Sequence, residues 1–257
     1  MDSSAQARAI AVIPARYASS RFPGKPLLDL AGKPMIQRVV EQVSRARRIA
    51  RVLVATDDDR VAAAVRAFGG EAVMTRAEHR SGTERLAEVA ARQGGTIFVN
   101  VQGDEPLIEP EAVDLAVETL AEDDEVALAT LVTPIREPAV LADPNVVKVV
   151  TDFDSNALYF SRAPIPWLRD GHGAGAAAAR YFKHIGLYVY RRDALLDFPT
   201  LPPGELEIVE QLEQLRWLEN GYRIRVAITE FDSLSIDTPE DVSRVLSRLA
   251  AQERGSS

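Results

Sequence analysis

Cysteine is absent from all 257 residues. Disulfides and thiolate metal sites are thereby excluded, and a reducing cytoplasm is the expected setting. No apolar run approaches the roughly 20 residues that span a bilayer, so no membrane role is expected. The segment before Pro14 carries Asp2 and no long apolar core, which argues against a signal peptide. Basic residues are in deficit: 30 Lys and Arg against 38 Asp and Glu leave a net charge of -8. Such a balance argues against nucleic acid as the partner and for a small-molecule substrate. The common phosphate loops are missing too. Gly24 and Gly32 do not make a Gly-x-Gly-x-x-Gly fingerprint, and Gly24-Lys25 is followed by Pro26 where a P-loop needs Ser or Thr. There is no Gly-x-Ser-x-Gly elbow, and His79 and His172 lack the spacing of a zinc site.

Against that background one stretch stands out. The short apolar run Ile10–Ile13 breaks at Pro14 into a loop bearing Arg16, Arg21, Lys25 and Lys33, with Asp29 among them. Ligands of parallel α/β sheets bind at the carboxyl ends of strands. A polyanionic nucleoside triphosphate needs such a local cluster on an otherwise acidic protein. The composition, 46% hydrophobic and 26% charged, is that of a globular chain able to bury a core of one large domain.

Strand-length apolar runs alternate with helical periodicities, which predicts a mainly parallel sheet flanked by helices. Pro34 opens a helix carrying Met35, Ile36, Val39 and Val43; Val52–Ala55 and Thr96–Val101 read as strands; Thr83 is placed as a helix cap. Val146–Thr151 and Ala157–Phe160 read as a hairpin, Ile185–Tyr190 as a strand and Leu206–Leu218 as one helix. Thr238-Pro239-Glu240-Asp241 is a helix start. Gly171–Ala179 reads as a mobile loop tip, and Trp167 and Trp217 as packing residues.

Several side chains are candidates for chemistry, each with an ordinary structural alternative. Asp104 follows a buried strand, where a carboxylate can hold Mg²⁺. Asp237, ending the strand-like FDSLSID, is the second acid such an ion needs. Gln102 can read a base edge, and Arg85 is either a surface arginine or a nucleotide contact. Arg162, between an aromatic strand and Pro164, could bind a carboxylate bidentately. His184 and Tyr188, four apart, share a face by period two. Glu207 and Glu210 read as the solvent face of their helix, beside a stripe of Leu206, Val209, Leu212 and Leu215.

In order along the chain, IPARYASSRFPGKPL, VATDD, MTRAEHRSGTERLAEV, VNVQGDEPLI, NVVKVV, ALYFSRAPIPW, KHIGLYVYRR, LEQLRWLENGYRI and IDTPEDV resemble the 3-deoxy-manno-octulosonate (Kdo) cytidylyltransferases. The resemblance runs from Ile10 to about Val245. It implies a Rossmann-like nucleotidyltransferase fold in one domain over 8–250. Roughly 135–220 would form a mixed-sheet sugar-binding and dimer subregion, with flexible tails at 1–7 and 252–257. It implies transfer of CMP from CTP to the anomeric hydroxyl of Kdo by a cytoplasmic homodimer serving lipopolysaccharide synthesis. Arg16 and Lys25 would bind the triphosphate; Arg85 and Gln102 would contact the nucleotide; Asp104 and Asp237 would hold Mg²⁺. Arg162, His184, Tyr188 and Glu210 would shape the sugar pocket, with Arg162 facing the carboxylate. A related sugar acid, 8-amino-Kdo or sialic acid, is the alternative acceptor. More distant alternatives are a sugar-nucleotide glycosyltransferase using Asp57-Asp58-Asp59 as its metal motif, and an inert binding protein.

Overall fold

The computed structural model describes residues 8–18, 22–169 and 181–255, with side chains through Ala251. Arg21, the 1–7 tail, and the loop Gly171–Ala179 with His172 lie outside the described residues. In chain order the strands are β1 (Ala9–Pro14), β2 (Asp29–Leu30), β3 (Lys33–Pro34), β4 (Ile49–Thr56), β5 (Glu71–Met74) and β6 (Ile97–Asn100). They continue as β7 (Leu128–Pro134), β8 (Lys148–Thr151), β9 (Ala157–Ser161), β10 (Phe182–Arg191) and β11 (Ile224–Ile228). The helices are α1 (Met35–Val43), α2 (Asp59–Ala67), α3 (Gly82–Arg92), α4 (Pro110–Ala121) and α5 (Pro138–Ala142). They end with α6 (Arg192–Asp197), α7 (Glu205–Glu210), α8 (Gln214–Glu219) and α9 (Pro239–Gly255).

The central sheet runs β11-β7-β10-β6-β1-β4-β5. Strand β10 alone in that path is reversed, pairing antiparallel with both β6 and β7, while the other pairings are parallel. This is the expected mainly parallel sheet, and the side chains explain it. Alternate residues of β1 serve opposite faces, as the pleat requires. Ala9, Ala11 and Ile13 join a core with α1, α2 and α4; Ile10 and Val12 join a second core with α3 and α8. A third cluster, including Leu30, Met35, Ile236, Val245 and Leu249, lies under α9.

Two features open a crevice at the carboxyl ends of the strands. The chain leaves β1 toward β4 on one side and has β6 on the other, which is a topological switch point. Only the second half of β10 pairs with β6; Phe182 and Lys183 at its start pair instead with β8. The stretch of β10 between them, around Gly186, is free for contacts from the end of β6. The expected hairpin is present as antiparallel β8 and β9.

Five expectations need correcting. The helix placed over Leu206–Leu218 is two helices, α7 and α8, divided at Gln211, whose φ of 54° is left-handed. Leu206 and Val209 are exposed whereas Leu212 and Leu215 are buried, so no single apolar stripe exists to hold a continuous helix. Helix α3 is capped by Ser81, whose hydroxyl accepts from the Glu84 amide, because Thr83 already lies inside the helix. The FDSLSID segment is irregular rather than a strand, and α9 continues to Gly255, beyond the Gln252 where a tail was expected. Trp167 is exposed, while Trp217 packs among Tyr190, Phe198 and Tyr222 as expected.

Candidate active site

The crevice is one cleft with two ends. At the first end Arg16, Lys25, Asp104 and Asp237 line a cavity of about 270 Å³ beside Pro14 and Gly103. Lys25 starts a short 3-10 turn after Gly24, whose φ of 75° lets the loop fold back so that its amide donates to the Tyr17 carbonyl. The Lys25 ammonium then lies 2.7 Å from Asp104 Oδ2 and 3.5 Å from Asp237 Oδ1. Two carboxylates 133 positions apart in sequence number therefore meet around a single cation. Gly103 makes this turn possible: a Cβ there would stand 2.8 Å from the Pro14 carbonyl oxygen.

Backbone contacts bring the second aspartate in. The Ile236 amide donates to the Asp104 carbonyl at 3.0 Å, and Ile236 is fully buried, so the irregular segment is stitched to the β6 turn one residue before Asp237. From the other side Asp241 accepts from the Asp237 amide, the Thr238 amide and the Thr238 hydroxyl. Burial alone would raise the Asp241 pKa, but these bonds and Arg244 hold it below the usual carboxylate value. Next to Asp104, buried Glu105 is pushed up to about 8 by burial and by the Asp104 charge.

Arg16 reaches the same cavity while donating to the His79 carbonyl. That contact ties the basic loop to the Arg76–Gly82 loop, whose other anchors are the Glu88 carboxylate on His79 and on the Arg76 amide. Lys33, by contrast, pairs with Glu41 on the surface and takes no part.

Gln102 and Gly82 line both ends of the cleft. The Gln102 amide donates to the Gly186 carbonyl at 3.1 Å, across the free stretch of β10. Beyond it lies a cavity of about 290 Å³ lined by Asn100, His184, Tyr188, Gln211, Glu213 and Gln214 among others. His184 and Tyr188 do share this face, with ring centroids 5.1 Å apart. Between Ile185 and Tyr188 strand β10 advances three residues against one on β7, and an extra pair of residues preserves the alternation. His184 bonds Thr130 Oγ1 at 3.0 Å, and burial lowers its pKa to about 3, so the ring is neutral. The surface is polar without being charged, apart from Glu213, whose pKa burial raises.

Three expected contacts are placed elsewhere. Arg85 is fully buried, donating to Thr75 and, at 2.9 Å, to Asp57; it lines neither cavity. Arg162 and Glu210 also line neither, and bond each other instead. Sequence reasoning assigned no role to Glu213 and Gln214. They enter the cavity because Gln211 turns left-handed, and no periodicity signals that. The Asp57-Asp58-Asp59 run is structural as well: Asp57 serves Arg85, and Asp58 caps α2 and pairs with Arg60. Among the described residues no cluster of three or more His, Cys, Asp or Glu is poised for a metal, and no helix is long and apolar enough to cross a membrane.

Comparison with known proteins places the chain in a family. The cytidylyltransferase family profile matches residues 10–224. A 3-deoxy-manno-octulosonate cytidylyltransferase of Geobacter sulfurreducens is 55% identical over 245 residues, 93% of this chain and 98% of that protein. One from Syntrophotalea carbinolica is 58% identical over 243 residues, 93% of this chain and 97% of that protein. A solved structure of CMP:2-keto-3-deoxy-manno-octonic acid synthetase complexed with CTP superposes with a TM-score of 0.90 at 46% identity, covering 95% of this chain and 99% of that one. The chain belongs to the 3-deoxy-manno-octulosonate cytidylyltransferase family.

Proposed function

We propose that the cleft transfers CMP from CTP to the anomeric hydroxyl of Kdo. The hydroxyl oxygen attacks the α-phosphorus, the bond to the bridging oxygen of the β-phosphate breaks, pyrophosphate leaves and the hydroxyl proton is lost. The observation that carries this reading is the meeting of Asp104, Asp237 and Lys25 at one end of a cleft whose other end is a hydrogen-bonding cavity of about 290 Å³ with Glu213 as its one acidic side chain. Phosphoryl transfer is governed by alignment and charge stabilisation, so a site with cations and acids but no covalent nucleophile suits it. Arg16 and Lys25 would face the triphosphate and the departing pyrophosphate. Gln102 would sit where nucleotide and sugar meet, and neutral His184 with Tyr188 would hold the sugar.

Asp104 and Asp237 would hold Mg²⁺: an all-oxygen pair with no nitrogen or sulfur ligand fits a hard cation that completes its shell with phosphates and water. When bound, the ion would neutralise phosphate charge and acidify the attacking hydroxyl. The protein would work in the cytoplasm, in lipopolysaccharide synthesis. It would do so as a homodimer, since Phe153, Leu158, Ile208 and Val209 leave apolar surface exposed on the β8–β9 hairpin and α7. A solution mass of twice 28.1 kDa is expected by light scattering, and a single-chain mass would overturn the dimer.

The activity is tested by pyrophosphate release with each nucleoside triphosphate and Mg²⁺, with and without Kdo. Release is expected only with CTP and sugar together. Release without sugar, or equal use of UTP, would overturn the assignment, and parallel reactions with 8-amino-Kdo and sialic acid rank the acceptors.

A further inference from the structure

We infer that Arg162 and Glu210 are positioning residues that lock together two walls of the sugar-side cavity, without touching the molecule that binds there. The inference rests on the reading of that cavity as the sugar-acid site and departs from the contact role expected of both residues.

The seam is dense. Glu210 Oε1 accepts from the Ser161 hydroxyl at 2.5 Å and the Tyr159 hydroxyl at 3.3 Å, and Oε2 accepts from the Arg162 amide at 2.9 Å. The Glu210 carbonyl accepts from Arg162 Nε at 2.8 Å, and Arg162 Nη1 donates to the Pro144 carbonyl at 3.0 Å. Fully buried Lys148 adds a third strap, donating to the carbonyls of Asp143 at 2.9 Å, Val146 at 2.6 Å and Arg162 at 2.5 Å. One wall so held is the loop ending at Val147, which lines the cavity and whose carbonyl accepts from the His184 amide at 2.9 Å. The other wall begins one residue after Glu210. Gln211 is left-handed at φ 54°, a conformation that is costly for a non-glycine residue and persists only where neighbours enforce it. Glu213 and Gln214, just beyond, line the cavity. With Nε and Nη1 of its guanidinium engaged by two main-chain carbonyls, Arg162 holds the turn.

Glu210→Gln is a sharp probe, because an amide cannot accept at both ends: its NH₂ must face either the Arg162 amide or the Ser161 hydroxyl. The expected result is a KM for Kdo raised about tenfold, the scale of a lost supporting bond, with the KM for CTP within about twofold of wild type. Hydrogen exchange at the 211–214 amides should quicken about tenfold. Arg162→Lys should behave alike, the double variant should be no worse than the worse single, and Ser161→Ala should be a milder copy that keeps the fold. Competitive inhibition by a Kdo analogue lacking the C1 carboxylate separates the two roles. Positioning predicts that Arg162→Lys weakens it as much as it weakens Kdo. If the penalty appears only with carboxylate-bearing ligands, Arg162 is a substrate ligand and the inference fails. It fails equally if exchange at 211–214 is unchanged in both Glu210→Gln and Ser161→Ala. Absence of wild-type turnover with any sugar acid would instead sink the functional reading, leaving the exchange measurement to judge the seam.

Discussion

Asp104 and Asp237 approach one lysine because separate backbone bonds hold each in place, so their variants should report chemistry more than folding. Asp104→Asn and Asp237→Asn keep size and hydrogen-bonding capacity but remove the charge a divalent cation needs. A fall in kcat of at least about 100-fold is expected for either, typical of losing preorganised charge stabilisation, with circular dichroism unchanged; near-normal turnover would contradict the metal assignment. His184 makes a second prediction at this scale. Its folded pKa of about 3 lies below the unfolded value near 6.5, so the unfolded chain binds the extra proton between those limits. Its contribution is present above pH 6.5 and is lost as pH falls toward 3, by up to roughly 1.4 kcal/mol per pH unit. Denaturant melts at several pH values should show that slope, and His184→Gln should flatten it.

At the scale of elements, the start of α9 does more than begin a helix. Asp241 gathers three donors from Asp237 and Thr238, which fixes the residue that faces Lys25. Asp241→Ala should cost about 1 kcal/mol, as loss of a helix cap does, and should also raise the Mg²⁺ concentration needed for half-maximal rate. Thermal melts read the first and a metal titration the second; a stability loss with an unchanged Mg²⁺ requirement would show that the cap and the site are uncoupled. The cap was legible in Thr238-Pro239-Glu240-Asp241, whereas its reach into the site was not. Nor could the break at Gln211 be read, because Leu206, Val209, Leu212 and Leu215 have helical spacing whether or not all four are buried.

Across the whole molecule, the sheet supports two cores, and each underlies one end of the cleft. Trp217 belongs to the core beneath the sugar side, packed on Tyr190, Phe198 and Tyr222 and lining the cavity itself. Trp217→Ala should destabilise the fold by about 3–5 kcal/mol, as deletion of a buried aromatic does. In whatever folds, the KM for sugar should suffer more than the KM for CTP, because the basic loop rests on the opposite face. Equal losses would argue against that division of labour.

The alternation of apolar runs and helical periods, the basic turn after the first strand and the acid in the Gln102–Glu105 turn were written in the chain. These are local properties, set by backbone period, by residue type and by where a strand must stop. Which side chains actually border the cleft was settled only by folding. Arg85, Arg162 and Glu210 carry the right chemistry yet bond to neighbours outside the two cavities, while Glu213 and Gln214 reach the cavity through one left-handed residue. The physical reason is that a charged group's role depends on which partners reach it first, and those partners are distant in sequence.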